Sequence, residues 1–121
     1  DERTIKKTFD LSVELCTAGW NTYAAMALPG SLLYKNAKKN NTPLPSSYEG
    51  YSFHSYETLP LPTEKLKAKD ILKMRDEAFI KYHTNRKFLS LIEKKFGLDA
   101  VNNILSMTKI KLKRKIIEDH Q

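Results

Sequence analysis

The chain of 121 residues contains a single cysteine, Cys16. A lone thiol excludes an internal disulfide, and it excludes a zinc or iron–sulfur centre built from the thiolates of this chain alone. Cys16 reads instead as a small apolar residue on a helix face, in keeping with a reduced, cytoplasmic setting. No run of about eighteen apolar residues is present to cross a bilayer, and no basic-then-apolar opening marks a signal peptide. The first residue is Asp1 rather than methionine, as expected of a cut or processed product. Outside residues 40–65 there is only one proline, Pro29, so helices can run undisturbed over most of the chain.

One sign of charge is scarce in a particular place. The net charge is +7, yet residues 1–62 carry six basic and six acidic side chains and sum to zero. The whole excess lies in residues 63–121. A basic half of this kind is usually a solvated helical face, and the alternative is a binding module for nucleic acid or an anionic membrane.

Asp1 stands where it can cap a helix, with Glu2 opposing the positive end of the helix dipole. Ile5, Phe9, Val13 and Cys16 follow on one stripe, with Leu15 beside them, so residues 2–17 are expected to be helical and Gly19 to end them. From Trp20 to Leu28 alternate positions separate into a bulky set (Trp20, Thr22, Ala24, Met26, Leu28) and a second set (Asn21, Tyr23, Ala25, Ala27) that becomes small toward its end. That alternation predicts a strand. The small residues at its end either admit a ligand or allow close packing. Pro29-Gly30 then turns the chain, and Ser31 can cap a helix over 32–39.

Residues 40–65 hold the other four prolines together with Tyr48, Tyr51, Phe53, His54 and Tyr56. So long a stretch without helical period predicts a lid or clasp pinned by its rings, with a brief extended piece near Phe53. His54 has the chemistry of a ligand or proton carrier, although a lone histidine in an aromatic loop reads first as a hydrogen-bonded packing residue. Beyond residue 65 three helices are expected. The first lies within 67–83 (Ile71, Met74, Ala78, Phe79, Tyr82), and the second is capped by Thr84 or Asn85 and stopped by Gly97. The third is capped by Asp99 and runs through Leu112 into the basic residues Lys109–Lys115, where cations complement the dipole. Phe79, Tyr82 and Phe88 fall on apolar stripes and not between basic residues, so the helices lack the stacking platforms of a nucleic-acid binder.

Four segments in order, AMALPGSLLY (25–34), YSFHSYETLPLPT (51–63), RDEAFIKYHTNRKF (75–88) and KIKLKRK (109–115), resemble the C-terminal portion of radical S-adenosylmethionine (SAM) proteins of the cobalamin-binding-domain-containing type. The resemblance covers nearly the whole chain and rests on the four together. It implies an α+β, mostly helical chain: residues 1–39 as the terminal strand and helix of a partial (β/α) barrel, 40–65 as a connecting segment, and 66–121 as a C-terminal three-helix extension. It implies a parent enzyme of oxidoreductase or methyltransferase type that uses SAM, a [4Fe–4S] cluster and, in this type, cobalamin, with the remainder of the parent chain as partner. It puts Ala25, Ala27, Pro29 and Gly30 beside SAM, and Tyr51 and His54 on the substrate side. Leu28 and Phe53 depart from the pattern, standing where a tyrosine and a glutamine are expected. The cluster-binding CxxxCxxC loop is absent from these residues, so the fragment alone is expected to be inactive and to bind none of these groups. A strand without its sheet also predicts self-association through residues 20–28, or coverage of them by 40–65.

Overall fold

A computed structural model describes residues 1–119. Six α-helices occur in it: α1 (Glu2–Leu15), α2 (Leu32–Lys39), α3 (Ala68–His83), α4 (Arg86–Phe96), α5 (Leu98–Thr108) and α6 (Lys115–Glu118), with a 3-10 turn at Tyr48–Tyr51. Among the described residues there is no β-strand. The expected α+β class, with a barrel strand at 20–28, is therefore corrected to all-helical.

The physical reason lies in the hydrogen bonds available to that segment. A strand persists only if a neighbour answers its N–H and C=O groups in sequence. Leu61 N–H does donate to Ala25 O at 2.8 Å. The flanking donors of the same parity are already used, Leu59 N–H on Gly50 O (3.0 Å) and Thr63 N–H on Leu66 O (2.9 Å). Pro60 and Pro62 between them have no N–H to give. One bond forms and no ladder follows. The alternation breaks as well: Ala24 and Met26 are buried as expected, but Ala27 is buried with them and Leu28 is exposed.

The chain forms two compact units. The first comprises Asp1–Thr22 and Asp76–Lys111. Its core is Tyr82, Phe88, Ile92 and Val101, against which Phe9, Val13, Cys16, Trp20, Leu89 and Ile104 pack. The α1 stripe thus enters the core as its period requires, except for Leu15, which is exposed. Asp1 caps α1 through a reciprocal box with Thr4, whose N–H donates to Asp1 Oδ1 at 3.0 Å. The helix ends earlier than Gly19, at Leu15, because Cys16 itself takes the left-handed conformation (φ 47°). Trp20 stacks on Tyr82 and meets the edge of Phe9, both at 5.7 Å between centroids, and the Tyr82 hydroxyl donates to Thr17 O (3.0 Å). Asn85 caps α4, accepting from Lys87 N–H at 2.8 Å, and Gly97 at φ 84° separates α4 from α5. Asp99 lies in the first turn of α5 instead of capping it, and α5 stops at Thr108, short of Leu112.

The second unit comprises Tyr23–Arg75 and Leu112–Gln121. Ser31 caps α2 as expected, accepting from Tyr34 N–H at 3.1 Å. The other end closes in a Schellman arrangement: Asn41 at φ 52° gives its N–H to Lys38 O (3.2 Å), and Thr42 gives its own to Ala37 O (2.9 Å). Asparagine serves there because its short polar side chain tolerates the left-handed region.

Gly50, buried in the 3-10 turn, is required for lack of space. A Cβ on it would lie 2.5 Å from Pro45 Cβ and 3.2 Å from Glu57 O, one a ring atom and the other backbone. Gly50→Ala is expected to destabilise this unit by about 2 kcal/mol, the usual cost of overpacking. Urea denaturation checks it, and a variant as stable as the parent contradicts the crowding.

Candidate functional site

The second unit carries a groove of about 230 Å³ lined by Leu44, Pro45, Ser46, Ser47, Gly50, Glu57, Leu59, Lys115, Ile116 and Asp119. One wall comes from residues 44–59 and the other from α6. What holds these walls together is Arg114. The residue is 2 % exposed, and its Nη1 donates to Ser55 O and to Thr58 Oγ1, each at 2.9 Å. Thr58, fully buried, shares its one hydroxyl proton between Ser52 O (2.5 Å) and Ser55 O (2.6 Å) while accepting from Arg114. The Lys115 N–H, which a continuing helix would give to Lys111 O, goes to Tyr56 O at 3.0 Å. Loop and C-terminal segment are therefore joined by backbone and side-chain bonds together.

Around this buried hub the charges are arranged on the surface. Lys115 Nζ reaches both oxygens of Glu57, at 3.2 and 3.1 Å. The hydrogen bond to Glu57, and then the attraction of its charge, raise the lysine above its ordinary pKa. A lysine held protonated in this way is no base near neutral pH, and it brings a positive charge to a groove that also carries the Ser46 and Ser47 hydroxyls. The Tyr56 phenol is also raised, by desolvation first and then by the charge of Glu118 and a hydrogen bond to it. Burial likewise raises Tyr51, with smaller contributions from Tyr34 and Tyr48.

These shifts have one sign, and the pH dependence follows. For Lys115 and Tyr56 the folded chain holds its proton more tightly than the unfolded one, whose ordinary values are 10.5 and 10.0. Their stabilisation is complete below those values and is lost as pH rises through the folded ones. The clasp of 52–58 by 112–119 is expected to be indifferent to pH from about 7 to 9 and to loosen above about 10. Tyrosinate absorbance against hydrogen exchange in residues 50–61 measures this. Loosening on acidification, with none in alkali, would contradict the assignment.

The six residues singled out from sequence are distributed differently. Ala25, Pro29 and Gly30 are exposed, Ala27 is buried, and Gly30 (φ 87°) sits in a turn closed by Ser31 N–H on Leu28 O at 3.0 Å. Tyr51 is half-buried and His54 is exposed, so His54 is not the packing residue that its loop suggested. None of the six lines the groove. Ala25 is joined to Leu61, and Tyr51 lies in the field of Tyr34 and Tyr48. Phe53, a departure from the pattern, packs its ring on Tyr23 at 4.4 Å.

Comparison with known proteins adds no family. A scan of protein-family models and searches of curated proteins and of solved structures gave no match.

Arg114 and Thr58 escaped the sequence reading. The available signal was slight: Arg114 is the one arginine among the basic residues of 109–115, and a forked donor is what two converging oxygens call for. The basic run as a whole was expected to end α5, and its first members do not belong to a helix at all. Among the described residues no group of three potential metal ligands occurs, and no helix is long and apolar enough to cross a membrane.

Proposed function

We propose that this chain is the C-terminal portion of a radical SAM protein of the cobalamin-binding-domain-containing type, acting as a non-catalytic accessory module to the remainder of its parent. One observation carries the reading beyond resemblance. Three of the four segments that resemble the family are tied to one another in the second unit, 25–34 to 51–63 through Ala25 and Leu61, and 51–63 to 109–115 through Thr58, Ser55 and Arg114, whereas 75–88 belongs almost wholly to the first unit. Residues that carry a family pattern for a shared structural reason are expected to meet, and the bonds among these three segments support the reading.

The role is accessory because a [4Fe–4S] cluster needs three thiolates from its binding loop and this chain has one cysteine. These residues do not fit the cluster, and no chemical step is assigned to them. Ala25, Pro29 and Gly30 are exposed and carry little or no side-chain bulk, so their backbone is open to a ligand such as SAM held by the parent; Tyr51 and His54 are the substrate-side candidates. A cytoplasmic location accords with a single unpaired thiol.

The test is the coding sequence upstream of Asp1. A CxxxCxxC loop in the same reading frame is expected, and the joined polypeptide should release 5′-deoxyadenosine from SAM when reduced. An upstream frame without that loop, or a joined protein that binds no cluster, overturns the proposal.

A further inference from the structure

We propose that the stretch from Met107 to Lys111 docks this protein on a bilayer surface rich in acidic phospholipid. Helix α5 ends at Thr108, its last turn tightened by Lys109 N–H on Ser106 O (3.3 Å) and Ile110 N–H on Met107 O (3.2 Å). From Ile110 to Arg114 the chain has no helix or strand. In this stretch Lys109, Lys111 and Lys113 are exposed, and between them stand Ile110, 72 % exposed, and Leu112, 37 % exposed, with Met107 exposed one turn earlier.

A single apolar side chain in water is ordinary. Aliphatic residues set alternately between lysines are a different pattern, because each lysine marks an anionic neighbour while each aliphatic marks an oily one. No carboxylate occurs in sequence between Asp99 and Glu118, and among the described residues Lys109, Lys111 and Lys113 have no ion-pair partner. The charge is thus unneutralised from within. A polyanion that is also oily one layer down is a phospholipid surface: a backbone lying at headgroup level puts Met107 and Ile110, one tight turn apart, at the acyl boundary and lets the stems of Lys109 and Lys111 reach phosphates. Nucleic acid suits the stretch less well. It rewards aromatic platforms among the basic residues, and no aromatic residue follows Phe96. Acidic lipids face the cytoplasm, the compartment that the lone thiol suggests.

The experiment is sedimentation of the full chain with phosphatidylcholine vesicles, with and without phosphatidylserine. Binding is expected only with phosphatidylserine, and it should weaken steeply as salt rises from about 0.1 to about 1 M, where the screening length falls from about 10 to about 3 Å. Lys109→Gln/Lys111→Gln should lose about thirtyfold in partitioning, near fivefold for each charge. Met107→Ser/Ile110→Ser should lose about tenfold and keep the salt dependence. The control Lys81→Gln/Lys94→Gln removes two exposed lysines elsewhere and should retain most of the binding; circular dichroism verifies the fold of each variant. Equal binding to vesicles without phosphatidylserine overturns the proposal, as does equal loss in the control. So does capture of a single-stranded RNA, lost in the lysine variant, with no binding to either vesicle.

Discussion

Replacing Arg114 with alanine is expected to destabilise the second unit by about 3 kcal/mol, and hydrogen exchange in residues 50–61 should speed up by about two decades. Two donations from a buried cation disappear, to Ser55 O and to Thr58 Oγ1. Each such charge-assisted bond is worth about 1.5–3 kcal/mol where burial excludes water. The arginine stem also leaves a void. Part of the loss is recovered, because deleting the cation removes its desolvation cost and the Thr58 hydroxyl keeps its carbonyl acceptors. Arg114→Lys should fall between the two, since one ammonium cannot reproduce the planar fork. Unchanged exchange over 50–61 in the alanine variant would show that the loop is held by something other than this guanidinium.

The second large effect belongs to the first unit. Phe88→Ala should cost about 4 kcal/mol, in the range of buried aromatic truncations. Phe88 is 2 % exposed and sits 5.1 Å from the ring of Tyr82 and 5.2 Å from that of His83. These ring contacts add to the area term, and the cavity left behind is walled by side chains anchored on helices that cannot close over it. Trp20 supplies a direct readout, being the only tryptophan and stacked on Tyr82. Its emission should shift to the red as the core loosens, and the urea midpoint should fall with it. A loss below about 1 kcal/mol would mean that Phe88 is not a keystone of the core. Phe88→Leu should lose much less, because most of the volume remains.

The contrast between the two units explains what a linear reading could reach. The first is built largely from helices whose apolar periods are local, so Phe9, Val13, Tyr82, Phe88 and Ile92 are identifiable as core from spacing alone, and the caps at Asp1, Ser31 and Asn85 are identifiable from residue type. Helix ends were less legible. Cys16 takes a left-handed backbone where Gly19 was the natural stop, and Thr108 ends α5 although nothing in the following residues forbids another turn. Beyond it, Arg114 and Lys115 bond to residues 55–58, partners far along the chain that no local pattern names.

For the candidate site the gap is wider. Small residues at 25–30 and rings at 48–56 were visible in the one-dimensional pattern, yet the groove is lined by neither Tyr51 nor His54. It is lined by residues that only a long closure brings together, such as Pro45, Glu57 and Lys115.

By itself the amino-acid order determined α1 to α5 in outline, the caps at Asp1, Ser31 and Asn85, the aromatic core and the uneven charge, because each depends on neighbours within a few residues. Whether 20–28 becomes a strand was settled only in three dimensions. Alternation supplies the side-chain pattern of a strand, but the backbone donors that would complete it belong to residues 59–63 and are used on Gly50 and Leu66 instead. Hydrogen bonding between distant segments is a competition, and its outcome depends on every other claim on the same N–H groups.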